Sequence, residues 1–143
     1  AYNAGGKSIG LNIKLPNEKK PNLYQTHSLH FEYFVSRKAT FFMHSCAYIA
    51  LPGGFGTLDE IFEVLTLIQT GKIAPVPVFL VGARFWSGML DWVTDQLLSN
   101  KLINDNFREM LTISDDVDAV TQRIQTFYTN HIEQLGHSAT MPG

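Results

Sequence analysis

Leu51-Pro52-Gly53-Gly54-Phe55-Gly56-Thr57-Leu58-Asp59-Glu60 is the stretch that decides how this 143-residue chain is read. Just before it, Ala47 to Leu51 is a short apolar run, the pattern of a strand covered on both faces. Just after it, Thr57 to Thr70 places Leu58, Ile61, Phe62, Val64, Leu65, Leu67 and Ile68 at helical spacing. A buried strand that enters a helix through three glycines marks a parallel α/β sheet. The glycines let the backbone adopt positive φ or approach a ligand closely. The helix that follows offers N–H groups without partners and the positive end of its dipole. Together these features suit an anion, and phosphate is the usual occupant. A plain tight turn is the alternative, although one glycine would serve for that. No Lys follows the last glycine, so this is not a Walker loop, and the G-x-G-x-x-G fingerprint is absent.

Working outward, the same grammar repeats. Lys7 to Ile13 predicts a short strand, and residues 14–28, rich in Pro, Asn and Lys, predict a loop. Leu29 to about Ser45 contains neither Gly nor Pro and is apolar almost all round, which predicts a helix buried on most sides. On such a helix His30, Arg37 and His44 would share one stripe. Gly71 and Lys72 close the helix after the glycine loop. Pro75 to Val81 predicts a strand with its prolines at the start, and Trp86 to about Asn100 a helix. Phe107 to Ile113 predicts a short helix and a short strand. Ser114 would cap a last amphipathic helix ending at Gly136, with 137–143 a disordered tail. The expected fold class is therefore α/β, a Rossmann-like parallel sheet with helices on both faces, in a single domain over 1–136. Ala1 to Gly6 reads as the end of a helix with no start, which predicts further sequence upstream.

Composition narrows the function. The formal net charge is −2, which argues against a general nucleic-acid binder or a membrane-surface binder. No apolar run approaches the ~20 residues that span a bilayer. The single cysteine, Cys46, excludes an internal disulfide framework and a cysteine-based zinc site, and points to the cytoplasm. Charged residues are 17% of the chain and aromatics 12%, so more surface is expected to be buried than one domain covers. Residues 1–44 hold six Lys/Arg and two Asp/Glu, whereas 45–143 hold five and eleven. The basic first part suits an anionic ligand.

Two candidate side chains stand out. Glu60 lies three residues after Thr57, the spacing of a capping box, in which Glu reaches back to the Thr N–H. A carboxylate there also lies at the mouth of the anion site, where it can hold a sugar hydroxyl or stabilise a developing cation. Arg37 either snorkels from its helix or presents a forked donor to a phosphate or carboxylate. Cys46 reads as a small buried hydrophobe. Asp115, Asp116 and Asp118 read as first-turn charges of the last helix, not metal ligands.

Taken together, Pro52-Gly53-Gly54-Phe55-Gly56-Thr57-Leu58-Asp59-Glu60 and the upstream Arg37-Lys38 closely resemble the LOG ("Lonely Guy") family, often labelled lysine decarboxylase-like. The family signature is PGGxGTxxE with an Arg-Lys pair on a preceding helix. Ala4 to Leu11 resembles the family's segment entering its middle strand. The resemblance implies a Rossmann-like homodimer and a nucleoside 5′-monophosphate phosphoribohydrolase that releases the free base, adenine or a cytokinin, and ribose 5-phosphate. By this resemblance Arg37 and Glu60 are catalytic, and Gly53, Gly54, Gly56 and Thr57 bind the substrate phosphate, with Lys38 a further contact. No cofactor or metal is implied, and nothing marks a pyridoxal-phosphate lysine. Family members begin with further strands and helices, so the resemblance also implies that the N-terminal part of the domain is absent from this chain. The alternative is a non-catalytic nucleotide or molybdenum-cofactor carrier of similar fold, which would not need the Arg37 and Glu60 pair.

Overall fold

The computed structural model describes residues 1–14 and 22–138, with the side chains of 132–138 excepted. The chain forms two compact units, Ala1–Ser45 and Cys46–Gly143.

The first unit opens with a 3₁₀ turn, Tyr2–Ala4, closed by Gly5 at φ 72°. Glycine adopts that left-handed conformation at no steric cost, so the expected helix end is present as one short turn. Strand β1, Ile9–Ile13, then pairs in parallel with β2, His27–Phe31, in the register Ile9 to His27 through Ile13 to Phe31. Of the loop expected over 14–28, residues 15–21 lie outside the described residues, and its last two residues belong to β2. Helix α1 covers Phe34–Met43.

This corrects the helix expected from Leu29. Leu29 and Phe31 recur at a spacing of two, and the backbone from His27 follows that period into a strand. The supposed stripe of His30, Arg37 and His44 therefore does not exist. His30 is on β2, Arg37 is within α1, and His44 is the α1 C-cap. Nor is α1 buried on most sides. Phe42 is its one buried side chain, while Val35 is 79% and Met43 78% exposed.

The second unit carries most of the core. Strands β3, Tyr48–Ala50, β4, Val78–Leu80, and β5, Leu111–Ile113, form a parallel sheet in the order β3-β4-β5. All three β4 side chains are buried, which matches its central place and its Val-Phe-Leu composition. On β3 only Tyr48 is buried and Ile49 is exposed, so full cover on both faces, expected there, does not hold. Helix α2, Phe55–Gln69, contributes Ile61, Val64 and Ile68 to the core. It ends at Gly71, φ 67°, with the Lys72 N–H returning to the Leu67 carbonyl.

Helix α3, Ala83–Trp92, buries Trp86 and passes into a π-helical turn over Val93–Leu98. The expected helix thus starts earlier and changes its winding before it stops. Short helix α4, Phe107–Met110, leads into β5 as expected. Helix α5, Val117–Ser138, runs two residues beyond Gly136. Residues 139–143 of the expected tail lie outside the described residues. From α5, Arg123 donates to Thr112 Oγ1 at 3.0 Å, with its guanidinium 5.7 Å from the Phe79 ring centre. The parallel α/β order is that of a Rossmann-like fold.

Candidate active site

Parallel strands put all their carboxyl ends at one edge, and ligands of open α/β sheets bind there. In the second unit that edge carries the turns after β3, β4 and β5. Three helices start from it, and their N-termini differ.

At α5, Asp116 is the cap. Its Oδ1 accepts the Ala119 N–H at 2.9 Å. Ser114, expected in that role, instead accepts the Asp116 N–H at 3.2 Å. At α3, the N-cap is Gly82, and the cap comes from far along the chain. Asp115 Oδ1 accepts the N–H groups of Gly82 at 2.7 Å and Ala83 at 2.9 Å. Asp115 was read as a first-turn charge of the last helix, but it serves its neighbour. At α2, the cap is Gly54, which has no side chain to offer. The N–H groups of Phe55 and Gly56 come too early in α2 for an intrahelical acceptor.

The α2 start overturns the capping-box reading. The helix begins at Phe55, so Thr57 lies inside the first turn, and its N–H donates to the Gly54 carbonyl at 3.1 Å. Thr57 is not an N-cap, and Glu60 is a full turn beyond the position a capping glutamate needs. Glu60 and Thr57 are both half-buried.

The glycines also act differently from expectation. Positive φ among the described glycines occurs at Gly5, Gly71 and Gly82, and none of these is in the loop. Gly53 is required by close approach, since a Cβ there would overlap the Thr57 hydroxyl. At Gly54 and Gly56 a Cβ would meet nothing within 4 Å. No packing among the described residues explains these two glycines. Phe55 between them is 92% exposed.

Arg37 belongs to the first unit. It is half-buried, and its Nε donates to the Leu11 carbonyl at 2.9 Å. The side chain is therefore tethered to β1 and does not snorkel outward. Lys38 follows it, also half-buried. On β1, next to the Leu11 carbonyl that holds Arg37, Asn12 donates to Ser28 Oγ at 2.8 Å and exchanges amide hydrogen bonds with Gln25 at 3.2 and 3.3 Å. Lys14 pairs with Glu32. Neither histidine joins the glycine loop's unit: His30 and His44 are both exposed residues of the first unit. Cys46 is a free, half-buried cysteine. No group of three or more His, Cys, Asp and Glu residues among the described residues is arranged to hold a metal ion.

Residues 1–124 match the protein family described as "Possible lysine decarboxylase". The chain belongs to this family, the LOG family. Its curated relatives include two Arabidopsis thaliana proteins named cytokinin riboside 5′-monophosphate phosphoribohydrolase. LOG1 is 30% identical over 115 residues, which is 73% of this chain and 53% of the relative. LOG4 is 32% identical over 96 residues, 66% of this chain and 44% of the relative. A rice protein, LOGL9, named as a probable enzyme of the same activity, is 27% identical over 131 residues, 87% of this chain and 55% of its own length. The chain spans about half the length of the curated relatives it matches. The names of these relatives are those of hydrolases acting on a riboside 5′-monophosphate, and they support a hydrolase family. They do not support amino-acid decarboxylation, the activity in the family's description. Among the described residues no helix is long and apolar enough to cross a membrane.

Proposed function

We propose that this LOG-family chain is part of a nucleoside 5′-monophosphate phosphoribohydrolase, which hydrolyses the N-glycosidic bond to give free base and ribose 5-phosphate. The observation that supports this best is the start of α2. Its cap is a glycine, and Gly54 and Gly56 leave open space where other residues would carry a Cβ. A 5′-phosphate can approach that backbone and accept its N–H groups, assisted by the helix dipole.

Breaking the bond between base and ribose builds positive charge on the ring carbon and oxygen. Glu60, one turn into the same helix, supplies a carboxylate that stabilises that charge and holds ribose hydroxyls. The phosphate is remote from the reacting bond, so its binding energy serves to orient the ribose. Arg37 orients the nucleotide or assists the leaving base, and Lys38 adds charge to that contact. The phosphate lies against Gly53, Gly54, Gly56 and Thr57. The reaction needs no metal or organic cofactor.

Residues 1–136 act in this reading as one LOG-type domain, in a cytoplasmic homodimer. The test is adenosine monophosphate with the full-length protein, followed by chromatography for adenine and ribose 5-phosphate. Both products should appear in equal amounts, and adenosine should be a far poorer substrate. Tight binding of the monophosphate without any release of base would sink the reading and favour a nucleotide carrier.

A further inference from the structure

Asp115 is separated from the glycine loop by more than fifty residues, yet the fold links the two through one glycine. Gly82 follows β4 with φ 110°, in the left-handed region that favours glycine. On one side, its N–H and that of Ala83 both donate to Asp115 Oδ1, at 2.7 and 2.9 Å. On the other side, it abuts the loop. A Cβ on Gly82 would lie 3.0 Å from Pro52 Cγ and 3.3 Å from Pro52 Cδ. Pro52 opens the Pro52-Gly53-Gly54 sequence, and its ring fixes φ there. Below this turn, Trp86 is fully buried and donates from Nε1 to the Val81 carbonyl at 3.2 Å, which anchors the residue before Gly82.

We infer that Asp115 is a positioning residue for the phosphate loop: its carboxylate clasps the Gly82 turn, and that turn is the surface on which Pro52 seats Gly53 and Gly54. The inference rests on the proposed function for the identity of the ligand, but the clasp itself does not. Two charge-assisted bonds to one oxygen hold Gly82 in a conformation that few residues adopt. The clasp also fills the N-terminus of α3 with an internal carboxylate, leaving α2 as the helix start without a side-chain cap of its own. An Asn at 115 keeps the accepting oxygen, whereas an Ala removes it.

The experiment compares the full-length protein with its Asp115→Ala and Asp115→Asn variants. Amide hydrogen exchange is read without nucleotide over residues 52–58. Steady-state kinetics are then read with adenosine monophosphate. Asp115→Ala should speed exchange in the loop and raise KM about tenfold while kcat changes little, because the loop grips the phosphate and the chemistry is elsewhere. Asp115→Asn should restore slow exchange and a near-normal KM. Unchanged loop exchange in Asp115→Ala would overturn the inference, as would equal damage by both variants. If the unaltered protein releases no base, the proposed activity fails, and the exchange comparison still decides the clasp.

Discussion

The unit Ala1–Ser45 and the unit Cys46–Gly143 are both parallel strands followed by helices, yet they treat apolar side chains in opposite ways. In the second, Val78, Phe79 and Leu80 fill the central strand, and Trp86, Val64 and Ile61 on its helices are buried as well. In the first, Phe42 is the only buried apolar side chain among the described residues, and Tyr33, Phe34, Val35 and Met43 are exposed. The candidate chemistry is divided between them. Arg37 belongs to the unit with little core, and the glycine loop and Glu60 to the unit with most of it. Stability and catalysis should therefore respond differently to changes in each.

The largest effect is expected from the second unit's core. Trp86→Ala should cost about 3–5 kcal/mol, since a fully buried indole leaves a cavity. Phe34→Ala, at a half-exposed site in the first unit, should stay within about 0.5 kcal/mol. Chemical denaturation of both variants measures the contrast. Equal losses would mean that the two units do not differ in the way their burial indicates.

Glu60→Gln comes next. It should lower turnover about 10²–10³-fold with nucleotide binding and melting temperature nearly unchanged, the loss typical of removing one group aimed at developing charge. Near-normal turnover with earlier melting would return Glu60 to a structural role. Arg37→Ala should cost somewhat less, about 10- to 100-fold in kcat/KM, the range for a hydrogen bond to a charged group. Arg37→Lys should not rescue it, because Lys has neither the fork nor an Nε to reach the Leu11 carbonyl.

Gly56→Ala separates fold from site within a single substitution. Nothing among the described residues lies within 4 Å of the added methyl, and α2 gains about 0.5–1 kcal/mol from the better helix former. Affinity for the monophosphate should nevertheless fall about tenfold, roughly 1.4 kcal/mol. A more stable protein with unaltered binding would reduce the loop to a turn.

These contrasts also explain what could be read from the residues. β3, its loop and α2 were legible because an apolar run, glycines and a 3.6-residue period follow one another without ambiguity. Strand β2 was not. His27 to Phe31 lacks Gly and Pro and runs straight into helical residues, and only the two-residue spacing of Leu29 and Phe31 signalled a strand. The Thr57 and Glu60 spacing fitted a capping box, but the helix starts at Phe55 because a glycine can serve as cap. Asp115 was out of reach for a different reason. Its partners, Gly82 and Ala83, are set by the pairing of β4 with β5, a long-range fact that no local pattern encodes.

The smallest change in the folded protomer is expected at the exposed face of α1, and it tests what covers that face. Val35 and Met43 are 79% and 78% exposed, and α2 adds Phe55, 92% exposed, and Phe62. An apolar surface of this kind on two helices exceeds what scattered surface residues explain. A two-fold axis would pair such a patch with its own copy and cover it. Obligate dimers built in this way bury more than ~2,000 Å² in total. Met43→Glu should then leave the protomer's stability within about 0.5 kcal/mol, because a charge in water at that position costs little. In the full-length protein it should nonetheless convert a dimer to a monomer by light scattering, since a carboxylate buried in an apolar interface has no partner. If the unaltered protein is already a monomer at micromolar concentration, the dimer is refuted, and cover for α1 must come from within a single chain.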